Sequence, residues 1–325
     1  MTTSREEVRK TIRFEHPGRL VGSLPEPYGS DFAPVGLSPS PDDRPAGGTG
    51  TDEWGSVWRN IGVCRLGEVQ TPALPDWAGF ENMRIPDITE EHRWQPLVGA
   101  REQAGDKFLI GSGVSLYERT HFIRGLENTW ADIHLEQERL LQLIDILVDM
   151  NLEIIRRYAA AGVDGYMFCD DWGLQNALMI DPEAWRALWK PRYAKVYGAA
   201  HEAGLLTLLH SCGHIVDIMD DLIEVGLDVI QMDQQENMGL ELLGERFGGR
   251  IAFWCPVDIQ KTMAHGSLDE IRAYCRRMQR TLGGAKGGFI AGWYADPKGA
   301  GHTPEAIEAM CQEFMAISAE IASGG

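Results

Sequence analysis

Beyond residue 100, short apolar runs alternate with longer amphipathic stretches, and this alternation restricts the fold more than any other feature of the chain. Strands are predicted at 108–112, 165–169, 205–209, 229–232, 251–254 and 289–291. Helices are predicted at 136–161, 182–203, 215–225, 240–247, 268–282 and 304–323, with Pro191 kinking the second. Strands that take turns with helices predict a parallel sheet. One or two further strands from the N-terminal third, including 20–24, bring the count towards the eight of a closed (β/α)8 TIM barrel, an α/β fold. An open, doubly wound sheet is the alternative. No Gly-rich phosphate-binding turn follows any strand, which favours the barrel.

The chain reads as one domain over 1–325. Residues 4–15 predict an amphipathic helix capped by Thr3 or Ser4 and ended by His16-Pro17-Gly18. A loop-rich N-terminal excursion covers 25–80. Its first part, 25–52, is rich in Pro, Gly, Ser and Asp and predicts a long loop. Its second part, 52–77, carries Trp54, Trp58 and Trp77 and predicts a small antiparallel unit over the barrel mouth.

Barrel enzymes place their chemistry where the strands end. There this chain has Glu118 and Arg119, Asp170 and Asp171, His210 and Cys212, Gln231 and Asp233, Cys255 and Asp258, and Trp293 and Tyr294. The most informative of these segments is His210-Ser211-Cys212-Gly213, which closes an apolar run. An imidazole beside a thiolate is half of a soft metal site, with zinc the first candidate. A buried cysteine next to a histidine bonded to a carbonyl is the other reading of the same pattern. His210, Cys212 and Cys255 together would supply three ligands and leave a fourth position open. Asp170, Asp171 and Asp258 are the candidate catalytic carboxylates, as proton acceptors or further metal ligands. Trp54, Trp58, Trp172, Gln231, Trp293 and Tyr294 are the candidate substrate-pocket residues.

Charge excludes some functions. Lys and Arg total 30 against 48 Asp and Glu, a formal net charge of -18. No basic stripe is dense enough for nucleic acid or an anionic membrane. No apolar h-region opens the chain and no run is long enough to span a bilayer, so a cytoplasmic protein is expected. Cys64, Cys169, Cys212, Cys255, Cys275 and Cys311 are scattered too widely for a disulfide framework.

Several segments together resemble the uroporphyrinogen decarboxylase superfamily. They are residues 5–19, residues 165–175 with Asp170-Asp171-Trp172-Gly173, the His210-Ser211-Cys212-Gly213 segment running on to Asp228, and Phe253-Trp254-Cys255-Pro256-Val257-Asp258-Ile259-Gln260. The resemblance implies a TIM barrel. The decarboxylases of that superfamily carry an Arg-rich substrate loop, Met-Arg-Gln-Ala-Gly-Arg-Tyr, which holds porphyrinogen carboxylates. This chain has Pro25-Glu26-Pro27-Tyr28 and Asp52-Glu53-Trp54-Gly55 in its N-terminal third instead.

The superfamily's other branch contains methyltransferases that work with a corrinoid protein. In its coenzyme M members a His-x-Cys pair and a later cysteine hold zinc. His210 and Cys212 match that pair. The later cysteine is expected near Gly292-Trp293-Tyr294 and is not there, so Cys255 or a carboxylate takes its place. The aromatic residues at that position suit a methoxy-aromatic donor. The resemblance therefore implies a zinc-dependent methyltransferase of the O-demethylase type. It would move a methyl group between a small methylated substrate and a corrinoid carried by a partner protein. It leaves room for a homodimer. Metal-free decarboxylation, and tetrapyrrole or corrinoid binding without turnover, are the alternatives.

Overall fold

The computed structural model describes residues 2–324 apart from 42, 45, 46 and 63–66. Eight strands form one parallel sheet: β1 (Val21–Gly22), β2 (Phe32–Val35), β3 (Phe108–Ser112), β4 (Gly165–Cys169), β5 (Leu206–His210), β6 (Val229–Gln231), β7 (Ala252–Cys255) and β8 (Phe289–Ala291). Their order is β1-β8-β7-β6-β5-β4-β3-β2, so the sheet curls into a nearly closed (β/α)8 barrel. At the remaining seam β1 and β2 share no ladder, only an isolated bridge between Ser23 and Ser30.

Side-chain parity divides the core in two. Phe108 and Ile110, Leu206 and Leu208, with Val21, Phe32, Val229, Ala252 and Ile290, fill the barrel interior. Val8 and Ile12 of the helix Ser4–Arg13 join that interior cluster and close its foot. Leu109, Leu209, Ile230, Phe253, Phe289 and Ala291, one residue out of phase, belong to the other cluster, packed with the outer helices. A capping box between Thr3 and Glu6 starts the foot helix. Its Arg5 and Arg9, joined by Arg101, donate to the buried Asp164 at 2.6, 2.8 and 2.6 Å, which pins it beneath β4.

The structure departs from the sequence reading in three places. The predicted loop 25–52 contains barrel strand β2, whose Pro34 conceals it. Proline is tolerated there because β2 is an edge strand, paired with β3 alone. Glu118 and Arg119, expected at the strand end after β3, lie on a helix, Tyr117–Arg124, which Leu126–Leu135 follows. The predicted helix 182–203 breaks at Trp189 into Pro182–Leu188 and Lys190–Glu202, and Pro191 sits in the first turn of the second, where no N–H is needed, instead of kinking one long helix. The antiparallel unit of the excursion is present as Gly50–Thr51, Val57–Arg59 and Glu68–Thr71.

Candidate metal centre at the barrel mouth

The parity that fills the interior also selects what crowns it. Met167, Leu208 and Val229 pack with the interior cluster, so Cys169, His210 and Gln231, two residues further on, stand on the same face. These three are direct cross-strand partners, Cys169 with His210 and His210 with Gln231.

Two loops complete the site. The loop after β4 brings Asp171 and the loop after β5 brings Cys212. Asp171 Oδ1 accepts the Cys212 backbone N–H at 2.7 Å. Gly173 N–H donates to the Cys212 carbonyl at 3.1 Å, His214 N–H to the Leu174 carbonyl at 2.7 Å, and Trp172 N–H to Ser211 Oγ at 3.2 Å. The loops are thus bonded along their length. His210 Nε2 lies 3.3 Å from Cys212 Sγ and 3.4 Å from Asp171 Oδ1. The ligand atoms of Asp171, His210 and Cys212 all fall within 4.8 Å of one another. One nitrogen, one sulfur and one oxygen at this spacing fit zinc, and three protein ligands leave a coordination position for a substrate.

The histidine is prepared for such a role. His210 Nδ1 is hydrogen-bonded to Gln231 Oε1, and Gln231 Nε2 donates to Asp233 Oδ1 at 2.8 Å. Nε2 is left facing Asp171 and Cys212. Burial works against a charged His210, but Asp171, Cys169, Asp233 and the Gln231 bond outweigh it and raise its pKa to about 9. Burial, with Asp171 and Asp233 adding to it, holds the Cys212 thiol well above its usual pKa. Burial pushes Cys169 up to about 12 and Glu118 up to about 8, and the carboxylates of Asp171 and Asp170 add to the rise at Glu118. In the absence of a metal, the mouth therefore stores protons on groups that a cation would displace.

The other predicted residues are distributed more widely. Cys255 is fully buried and lies outside the ligand trio. It packs in the outer cluster, while Trp254 takes the inward position and stacks on Phe32 at 4.5 Å. Of the expected set His210, Cys212 and Cys255, the first two come together, and Asp171 is the third group within reach of them.

Asp170 is also fully buried and turned away from the mouth. It accepts the backbone N–H groups of Leu116, Tyr117 and Glu118 at 3.0, 2.9 and 2.9 Å and the Tyr193 hydroxyl at 2.6 Å. It holds the start of the helix Tyr117–Arg124, which carries Glu118. Asp258 is spent in the same way on the N–H groups of Gln260, Lys261 and Thr262. Both carboxylates are buried and engaged by backbone N–H groups.

Trp172 is fully buried, stacked on Tyr117 at 4.0 Å with its indole N–H on Tyr193 Oη at 2.9 Å. Trp54 and Trp58 are buried within the excursion, around Asp52, which bonds Trp58 Nε1 and pairs with Arg119. All three side chains are buried. Trp293 and Tyr294 are half-buried after β8. Burial raises the Tyr294 pKa, and the charges of Asp233, Cys212, Asp296 and Asp171 add to the rise. Cys64 lies outside the described residues. Sequence reasoning missed Tyr193, whose bond to Asp170 spans a helix and left no local signal, and the role of Gly173.

Among the described residues no helix is long and apolar enough to cross a membrane. No curated protein matches the chain. Among solved structures, a methyltransferase from Methanosarcina mazei superposes with a TM-score of 0.70 at 15% identity, covering 97% of this chain and 99% of that one. At that identity the likeness concerns the fold. A D-psicose 3-epimerase from Clostridium cellulolyticum matches with a TM-score of 0.43 at 10% identity, over 70% of this chain and 83% of that one. The family model for uroporphyrinogen decarboxylase (URO-D) matches residues 67–316, which takes in about three quarters of the chain and every residue of the candidate centre. The chain belongs to the uroporphyrinogen decarboxylase family.

Proposed function

We propose that this protein is a zinc-dependent methyltransferase that moves a methyl group between a small methylated substrate, of the methoxy-aromatic kind, and a corrinoid carried by a partner protein. The observation that carries the reading is the convergence of Asp171, His210 and Cys212 within 4.8 Å at the open end of the barrel. Membership of the family and the methyltransferase fold neighbour support it. The arginines of the helix beside the mouth speak against a polycarboxylate substrate. Arg119 is committed to Asp52 and Arg124 to Asp132.

Asp171, His210 and Cys212 would hold the zinc, which as a Lewis acid polarises the substrate heteroatom that carries the methyl group. The chain's own residues do the rest. Gln231 orients His210. Tyr294 and Trp293 flank the approach and supply aromatic surface for a ring. Glu118, kept protonated at neutral pH, holds a proton at its carboxyl oxygen for an oxygen that leaves as alkoxide or phenoxide. The excursion shields the mouth from one side through the Arg119–Asp52 pair at 3.1 Å. A single domain working in the cytoplasm, alone or as a homodimer, completes the proposal.

The test combines metal analysis with turnover. Protein purified without chelators should contain zinc near one equivalent and should transfer methyl from a methoxy-aromatic panel to free cob(I)alamin, read by its absorption change. His210→Ala and Cys212→Ala should lose both. A protein that neither retains nor binds zinc, or variants that keep full rates, would overturn the reading.

A further inference from the structure

Gln231 and Asp233 sit beside the metal trio without entering it. Gln231 is the cross-strand partner of His210, one strand over, and its Oε1 accepts from His210 Nδ1. An amide can be turned either way about its last bond. Here Asp233 removes the choice. A carboxylate only accepts, so the 2.8 Å contact from Gln231 Nε2 to Asp233 Oδ1 fixes the amide with its oxygen towards the imidazole. An oxygen acceptor at Nδ1 requires the proton to be there, and that leaves the Nε2 lone pair for whatever Asp171 and Cys212 also face. Asp233 is itself nearly inaccessible, at 7% exposure, so its carboxylate is held rather than solvated.

We infer that Gln231 and Asp233 are positioning residues that set the His210 tautomer and orient that metal ligand from one point on β6 and the loop after it. The inference rests on the metal-centre reading above and adds to it. It also reassigns Gln231, which sequence reasoning put in the substrate pocket, to the support of a ligand. Asp233 acts through Gln231 on His210, so the chain order Asp233–Gln231–His210 should appear as graded effects on the metal rather than on substrate binding.

The experiment measures zinc affinity of the full-length protein by competition with a chromogenic chelator and records the visible spectrum of the Co(II)-loaded form. Gln231→Met keeps the side chain's length and removes the acceptor. It should weaken zinc binding by about 10–100-fold and shift the cobalt bands. Gln231→Glu restores an oxygen to His210 Nδ1 and should recover most of the affinity, which a purely space-filling role would not predict. Asp233→Ala should fall between these two, and it stands in for Gln231→Met if that variant does not fold. Zinc affinity and cobalt spectra unchanged in Gln231→Met and Asp233→Ala would overturn the inference while leaving the metal centre intact. Failure of the unaltered protein to bind either ion would overturn the metal centre itself, and the inference with it.

Discussion

Gly173 and Gly213 stand backbone against backbone, and their approach sets how near Asp171 comes to Cys212. A Cβ on Gly173 would lie 2.3 Å from the His214 nitrogen and 2.4 Å from the Gly213 carbonyl carbon. A Cβ on Gly213 would lie 2.2 Å from the Gly173 oxygen, at a backbone φ of +78° that favours glycine. No flexible side chain is available to give way, since every atom met is main chain. The two loops are therefore clasped at a point two residues from Asp171 and one from Cys212.

Gly173→Ala should open this clasp. The expected cost is about 1–3 kcal/mol of stability, as for other overpacked sites, and a matching loss of zinc affinity as Asp171 retreats. Gly198→Ala is the control. Gly198 lies in the helix Lys190–Glu202 with nothing within 4 Å of its built Cβ, so alanine there should stabilise by about 0.5–1 kcal/mol and leave the metal alone. Urea unfolding and chelator competition on both variants decide the matter. Wild-type zinc affinity in Gly173→Ala would remove the clasp from the account of the site.

Zinc uptake should release protons and strengthen with pH. Metal-free His210 holds its proton up to about pH 9, and the Cys212 thiol holds its own above the usual range. A metal needs the neutral imidazole and the thiolate, so at pH 7 both protons must leave. Affinity then rises as pH increases towards 9 and flattens once both groups are deprotonated. Calorimetric titration in buffers of different ionisation enthalpy counts the protons, and about two per zinc are expected at pH 7. A pH-independent affinity would contradict the ligand assignment.

Cys212 and Cys255 should part company under mutation. Cys212→Ala should abolish tight zinc binding with little change in folding. Cys255→Ala should leave zinc binding at the wild-type level and cost about 1 kcal/mol, the usual loss for trimming a packed core residue. The comparison uses the same two measurements on both variants. Loss of zinc in Cys255→Ala would restore that thiol to the ligand set.

The contrast between those cysteines also shows what was legible beforehand. Apolar runs and their spacing carry strand positions well, because burial on both faces needs unbroken hydrophobic residues, and six of the eight barrel strands read correctly from that signal alone. β2 did not, since it is four residues long and contains Pro34. The His210-Ser211-Cys212 element was readable because its imidazole and thiol lie two residues apart in the sequence. Its third partner was not, because the choice between Asp171 and Cys255 depends on which way the last residue of each strand faces. A boundary error of one residue reverses that direction. The Asp170-Asp171 pair illustrates the same point: adjacent residues took opposite faces and opposite tasks, one holding a helix and the other facing the imidazole.

That division of tasks gives the last prediction. Asp170 is fully buried and accepts three backbone N–H groups and a tyrosine hydroxyl. Asp170→Asn replaces one acceptor oxygen by a donor that faces other donors, so about 3 kcal/mol of stability should be lost. Tyr193→Phe removes a single donor and should cost about 1 kcal/mol. Because the helix Tyr117–Arg124 begins on Asp170, the Asn variant should also loosen Glu118 and lower turnover without changing zinc content. Burial raises the folded-state pKa of Asp170 from 3.8 to about 7. Between those values the folded protein keeps a proton that the unfolded chain has released, so its stability declines as pH rises through that window. Asp170→Asn carries no such proton, and its stability penalty should therefore shrink as pH rises from 4 to 7. Parallel stability–pH curves for the two proteins would show that Asp170 is ionised throughout and that its four donors, rather than burial, control its charge.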